Sequence, residues 1–517
     1  MRWRGPAAAL LACAATLLSA CSVGPSSRPE IVTIEGPDQQ EQQPGDTGPV
    51  PVPPLEEPKD APVRWSNCQD NMTVRLTTPP LPTWLPVQCA KVSTPLDTPY
   101  APGRGSIKLQ VLRAGSGPVP IVVVNDVSGQ PGSIYAARLA ASLPQDFFSK
   151  FSLIGVDRRG TGNSEPPDCV PPEIRTAIVG INPKATPPAE WLEPAKNAGQ
   201  QCSIELESHL PALDTWRSSA DLESMRLALG LKKLNGIGHG EGSRVLSVYA
   251  DRYPDKVGRL VLDGIPDVTD DAVAVLEGVA TGAEATWQAF AADCAARSCE
   301  LGTGAAQALT ALLDQLGNSP LRAPNDLEIG PGAALRAVLT GLSDRAQWPA
   351  LGTAIAKARN GDGGPLADFI TPIVLGSDEQ APIFDGELVI GCNDTKTRLT
   401  VTQLTSTVAD WDKKYPTFGA LVAQRLALCG VWPVQTQALP TPKAKGAPPI
   451  LVLGTASDPV TPIGGTEHAA GQLTDATLVS WQGAGHGAFG VSACATDATL
   501  GFLRDAKVPR NGTVCPP

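Results

Sequence analysis

The sequence predicts a doubly wound α/β fold: a mostly parallel sheet covered on both faces, with a helical cap inserted between two parts of the core. Three observations carry this. Short continuous apolar runs recur along the chain: IVVVN (121–125), FSLIGVD (151–157), LNGIG (234–238), RLVLDGI (259–265), PILVLGT (449–455) and TLVSWQG (477–483). Uninterrupted runs of this length suit strands buried on both faces. Helical patterns alternate with them, in SIYAARLAASL, SSADLESMRLALG, SRVLSVYADRYP and GGTEHAAGQL; βα alternation is the pattern of a parallel sheet with crossover helices. Between about Thr269 and Asp385 strand signals almost vanish and alanine-rich helical stretches take over.

The elements follow in order. Residues 1–20 read as a signal peptide: Arg2 and Arg4, an apolar run too short to span a membrane, then Leu18-Ser19-Ala20-Cys21. That ending resembles the bacterial lipobox, which implies lipid on Cys21, export, and tethering to the outer face of the cell membrane. Residues 21–62 are polar and proline-rich, a composition that does not fold alone and favours an extended tether. The first part of the core is expected over 63–268, with residues 166–211 as a long excursion, the cap over 269–385 and the C-terminal part of the core over 386–517. A separate helical domain describes the middle equally well.

Of 517 residues, 42% are apolar and 18% charged, and the formal net charge is −11. An acidic chain without a basic cluster excludes nucleic acid as the main partner. Setting aside Cys13 in the signal and Cys21, ten of the twelve cysteines remain. An even number in an exported chain reads as disulfides, and the sequence leaves their connectivity open. Pairing neighbours in order joins Cys68 to Cys89, Cys169 to Cys202, Cys294 to Cys299, Cys392 to Cys429 and Cys494 to Cys515. Metal ligation is the weaker alternative, with no CxxC motif and four histidines in all; no metal and no cofactor is expected.

The chemistry centres on GIGHGEG (236–242), which falls between a strand and a helix. An α/β-hydrolase places its nucleophile on such a turn, in G-x-S-x-G, followed along the chain by an acid and a histidine. Here Gly240 holds the serine position. The other two partners are present: Asp458 in LGTASDPVTP and His486 in GAGHGAFG, each just past a strand.

Several stretches resemble the secreted tripeptidyl-aminopeptidase family of α/β-hydrolases: IGVDRRGTGNSEPPDC, SADLESMRLALGLKKLNGIGHGEGSRVLSVYADRYPDKVGRLVLDGIPD, VIGCND, LVLGTASDPVTP and GAGHGAFGVSAC, then NGTVC. The similarity runs from about Trp65 to the C-terminus and is weakest in the middle. It implies that Asp458 and His486 are the family's acid and base, that Thr461 is the threonine of its D-P-V-T-P turn, and that the disulfides 294–299, 392–429 and 494–515 are present. Three departures accompany it. Gly240 has no side chain with which to attack. Glu241 stands where the family has a neutral residue whose N–H binds the oxyanion. The family's N-P-G-G-P-G-G-S loop, source of the other oxyanion donor, is replaced by Asn125-Asp126-Val127-Ser128-Gly129-Gln130-Pro131-Gly132.

Substitute nucleophiles are Ser243, whose alternative role is helix packing, and Ser128 in the altered loop. Glu241 is a candidate base acting on water with His486. Asp394, in GCND, is either a binding group for a substrate amine or a turn residue. Non-catalytic binding of a peptide or cell-envelope partner is therefore the leading expectation. The alternative is an active peptidase or esterase using a substitute nucleophile or activated water with Asp458 and His486.

Overall fold

A ten-stranded sheet forms the spine of the chain. In the computed structural model, residues 50–76, 79–97, 105–377, 380–434 and 439–517 are described. The segment expected as a signal peptide, Cys21, and the expected tether up to residue 49 lie outside the described residues.

The strands are β1 (Ser66–Asn67), β2 (Val87–Pro95), β3 (Ser106–Ala114), β4 (Val119–Val124), β5 (Phe151–Val156), β6 (Leu234–His239), β7 (Val257–Asp263), β8 (Leu321–Arg322), β9 (Glu328–Ile329), β10 (Ile450–Ser457), β11 (Ala476–Ala484) and β12 (Thr513–Cys515). The sheet order is β1-β2-β3-β5-β4-β6-β7-β10-β11-β12. From β5 across to β12 every pairing is parallel, and the pairings β1·β2, β2·β3 and β3·β5 are antiparallel. The six apolar runs fall on β4, β5, β6, β7, β10 and β11. Residues 119–124 of β4 are all buried, as are all seven of β7. Full burial of one valine or leucine side chain contributes roughly 1.5–3 kcal/mol, so these inner strands carry much of the core. Alternation is clear in β2, whose burial flips residue by residue from Ala90 to Pro95, as expected for a strand with one solvated face.

The helices Gly132–Ser142, Thr215–Ala228, Glu241–Arg252 and Ile463–Gln472 lie between consecutive strands. After β7 the chain leaves the sheet and returns at β10. Among the described residues eight α-helices fill the interval, from Ala272–Ala296 to Gly419–Gly430, together with the short β8–β9 hairpin. The helical region thus runs well past residue 385, which falls in the first turn of the helix Ile383–Asn393. The described chain forms one compact unit, so the helical segment is an insertion rather than a detached domain.

All five neighbour-to-neighbour disulfides are present. Cys392–Cys429 links two of the inserted helices, and Cys494–Cys515 joins the last helix to β12. Residues 50–62 differ from the expected free tether. Val52 and Leu55 pack against the core, and the buried Arg259 donates from Nε and Nη2 to the Pro53 carbonyl. Its backbone is fastened by a side chain from β7.

The stretch DRRGTGNS, after β5, has a structural role. Asp157 accepts from the Ser133 and Asn163 N–H groups, which fixes the turn. Arg159 is fully buried and forms a two-pronged pair with Asp221, at 2.7 Å from Nε and 2.5 Å from Nη2. Its remaining donors meet the carbonyls of Pro95, Leu96 and Ala212. Removing one member of such a pair leaves the other charge buried and alone. Asp221→Ala is therefore expected to lower unfolding free energy by about 3–5 kcal/mol in urea titrations. Arg504→Ala, which breaks the exposed pair with Asp146, should stay within about 0.5 kcal/mol of the parent.

Candidate active site

The sheet order decides which loops meet. Strands β4 and β6 are neighbours, as are β6 and β7, β7 and β10, and β10 and β11. Their carboxyl ends carry Asn125–Asp126, Gly240, Asp263, Asp458 and His486 respectively, so these residues converge at one edge of the sheet, where doubly wound folds place their sites.

Gly240 has the backbone of a nucleophile elbow, with φ 55° and ψ −125°, at the N-terminus of the helix Glu241–Arg252. An L-residue at that φ is strained, whereas glycine is at ease. Gly242 serves close approach: a Cβ there would run into the Val124 carbonyl of the neighbouring strand. The elbow is intact and only its chemical group is missing.

Its place is taken by another residue. A Cβ built on Gly240 would lie far inside van der Waals contact with both carboxylate oxygens of Asp126. One of those oxygens, Oδ1, accepts the Glu241 N–H at 2.6 Å. The other, Oδ2, lies 2.7 Å from His486 Nε2. Asp126 therefore occupies both the space of a side chain at 240 and the N–H group that corresponds to an oxyanion donor in the resembled family. The altered loop is also engaged through its backbone: the Val127 N–H donates to Glu241 Oε2 at 3.3 Å. Both regions that supply oxyanion donors in the resembled family are thus bonded to carboxylates of the chain itself.

Asp458 and His486 meet as the order of the motif predicts. His486 Nδ1 lies 2.9 Å from Asp458 Oδ2, and Asp458 Oδ1 accepts the N–H groups of Val460 and Thr461. Thr461 Oγ1 donates to Asp458 Oδ2 and sits 3.2 Å from His486 Nδ1, so this threonine braces the pair. His486 is held between two carboxylates. Burial disfavours its charged form, but Asp458 and Asp126 outweigh that and hold the imidazole well above its ordinary value. Burial likewise pushes Asp126 up, and the His486 charge and hydrogen bond overcome it, leaving the carboxyl below the usual range.

Glu241 points away from Gly240. Its Oε2 lies 3.7 Å from Arg158 Nη1, and Arg158 Nη2 donates to Thr215 Oγ1. Desolvation pushes the Glu241 carboxyl up; Arg158 opposes this and Asp126 adds to it. Asp394 completes the chain, accepting the Thr215 N–H at 2.9 Å and the Thr215 hydroxyl at 2.6 Å. It caps the end of one helix and holds the start of another, and it also lines the adjacent cavity.

The cavity has a volume of about 170 Å³. Ser128, Glu241 and Thr461 form the end nearest the elbow, and Leu276, Val279 and Phe384 from the inserted helices form an apolar wall. Ser128 is exposed and faces this space, with no hydrogen bond to His486 among the described residues. Ser243 is fully buried and donates to the Asp263 carbonyl at 3.2 Å, the packing role of a helix residue. Asn125 donates to the Gln130 carbonyl and shapes the loop rather than facing the cavity. Neither serine is placed beside His486.

Asp126 is the residue that motif reasoning passes over. It stands in the altered loop in plain view, and its one signal is a charge in a stretch that the resembled family keeps apolar and glycine-rich. Its partner across the site is identified only by the β4–β6 adjacency.

Fold and site together define an α/β-hydrolase fold whose elbow turn at Gly240 is filled by a carboxylate from a neighbouring loop. Residues 415–515 match the family described as TAP-like protein. The serine protease Hip1 of Mycobacterium tuberculosis is 24% identical over 89% of this chain and 92% of its own length. The tripeptidyl aminopeptidase of Streptomyces lividans is 24% identical over 84% of each chain, and the carboxylesterase B of M. tuberculosis is 26% identical over 92% of this chain and 93% of its own. The chain is therefore similar to tripeptidyl-aminopeptidase-like proteins over most of its length, with the family match itself confined to residues 415–515.

The overlap at Gly240 yields a stability prediction. Gly240→Ser alone is expected to lower the thermal midpoint, because the new Cβ and Asp126 compete for one space. Asp126→Gly in the same chain should recover most of the loss. Equal midpoints for the parent and Gly240→Ser would show that Asp126 does not hold that position.

Proposed function

We propose that this chain is a non-catalytic α/β-hydrolase relative that binds a peptide or another cell-envelope ligand in the cavity beside its elbow. It does so as an exported lipoprotein, anchored through Cys21 to the outer face of the cell membrane. One observation carries the reading: Asp126 stands in the space of the absent serine and accepts the Glu241 N–H. Acyl transfer needs a nucleophile beside a free imidazole and open donors where negative charge develops. Here His486 Nε2 is bonded to Asp126, and Val127 N–H is bonded to Glu241.

The cavity supports binding in its own right. It combines the apolar wall with charged groups, among them Arg244, Arg425, Glu387 and Asp394. Arg244 has no ion pair among the described residues and is available to a ligand carboxylate, while Asp394 and Glu241 supply acceptors for an amine. That mixture fits a short peptide, whose ends carry opposite charges. The relatives named as a protease, an aminopeptidase and an esterase lend the substrate class, and the anchor rests on the lipobox-like Leu18-Ser19-Ala20-Cys21. No described helix is long and apolar enough to cross a membrane.

Two measurements test this. A fluorophosphonate probe is expected to leave the wild-type chain unlabelled, and stoichiometric labelling of any serine would overturn the proposal. Short peptides should raise the thermal midpoint, by an amount equivalent to about 2.7 kcal/mol at a hundredfold excess over Kd. Leu276→Trp, which fills the cavity, should abolish that rise while the protein stays folded.

A further inference from the structure

Beside the filled elbow His239 joins Asp126 and His486 in a cluster that lies outside the lining of the peptide-binding cavity. His239 ends β6, next to Gly240. Its ring lies 4.2 Å from that of His486, centroid to centroid, and stacks on Tyr135 at 4.6 Å. Asp126, His239 and His486 each offer one ligand atom, and these atoms all lie within 4.8 Å of one another. The geometry points to a divalent metal site of the zinc class, built from Asp126, His239 and His486 at the position of the missing nucleophile.

Two imidazoles and one carboxylate form a donor set that suits zinc, with a further coordination position left for water. The surroundings have the form such sites require, in which a ligating histidine presents its other nitrogen to a carboxylate. His486 Nδ1 meets Asp458 Oδ2 at 2.9 Å, and His239 Nδ1 lies 3.4 Å from Asp263 Oδ2. Each histidine is thus backed by its own carboxylate, which leaves Nε2 as the nitrogen for the metal, and His486 Nε2 already faces Asp126.

One feature lacks an account without an ion, and a second is consistent with one. His239 Nδ1 is buried and has no hydrogen-bond partner, although a carboxylate stands nearby. A metal on Nε2 would fix the proton on Nδ1, facing Asp263, and complete that bond. The second feature is charge. Asp126, Asp263 and Asp458 are all at most 5% exposed. Asp263 accepts the Ala488 and Phe489 N–H groups and Asp458 those of Val460, Thr461 and Gly487, and among the described residues the basic side chains beside the three carboxylates are the two histidines, with no lysine or arginine in an ion pair. Hydrogen bonds satisfy much of this buried negative charge, and a divalent ion would compensate the remainder. Binding would replace the short Asp126–His486 contact with two bonds of about 2.0–2.2 Å to the metal. The site concerns ion binding only and stands apart from whether the cavity takes peptide.

The test uses the full chain, stripped with a chelator and then titrated with Zn²⁺ or Co²⁺. One zinc per chain is expected by elemental analysis, with a raised thermal midpoint. The cobalt form should show the intense visible bands of a four-coordinate site; a weak six-coordinate spectrum would overturn the proposal without any variant. His239→Phe and Asp126→Asn should each abolish stoichiometric binding, and Asp458→Asn should weaken it about 10–100-fold. His468→Asn, at an exposed histidine bonded to Asp267, should change nothing. Failure of the folded wild-type chain to bind zinc, or equal binding by His239→Phe, would contradict the site. Neither result would touch the peptide-binding proposal, whose readout is the midpoint shift with peptide.

Discussion

The Asp126 carboxylate, bonded on one side to the Glu241 N–H and on the other to His486, is the constraint around which this site is arranged. It sets the conformation of the loop after β4, since that loop must carry the carboxylate over the elbow. It makes glycine necessary at position 240 for a second reason besides the positive φ, because any side chain there would claim the same space. It also explains why the acid–histidine pair persists in a chain without a serine. Asp458, Thr461 and His486 form one side of a hydrogen-bonded bridge that ties three loops together, and a buried carboxylate such as Asp126 needs that partner.

Much of the scaffold was legible in the sequence, because its signals are local. The six inner strands are continuous apolar runs, the crossover helices carry helical spacing, and the disulfides join nearest neighbours. Asp458 and His486 were legible because each follows a strand and the order matches a known arrangement. The antiparallel strands β2 and β3 were harder to see, because alternation with a solvated face leaves no apolar run. The extent of the helical insertion was blurred, since VIGCND lies in a helix before the sheet resumes at β10. Residues 50–62 look like solvent-exposed tether by composition, yet Arg259, far away in sequence, fastens them. Asp126 was illegible for the same reason: its role arises from the adjacency of β4 and β6, which no local pattern encodes.

The polar interior divides into two kinds. Arg159 with Asp221, and Asp157 with its two N–H donors, hold loops to the sheet and are fully satisfied. The group around Gly240 differs. Asp126, Asp263 and Asp458 share two histidines among them, and one imidazole nitrogen is left over. An α/β-hydrolase that had merely lost its serine would leave an empty elbow with open donors. In this chain the elbow has been rebuilt with side chains that bond to one another, and Glu241, a carboxylate in an unfavourable place for oxyanion binding, is turned toward Arg158 and Val127 instead.

The most direct measurement of this account is a comparison of fluorophosphonate labelling in Gly240→Ser and in Gly240→Ser/Asp126→Gly, both in chelator. If Asp126 fills the nucleophile position and ties up His486, the single variant stays unlabelled. The double variant, with the serine beside a freed His486 and Glu241 N–H, becomes labelled at residue 240. Equal labelling of the two variants would contradict the claim that the Asp126 carboxylate holds the elbow.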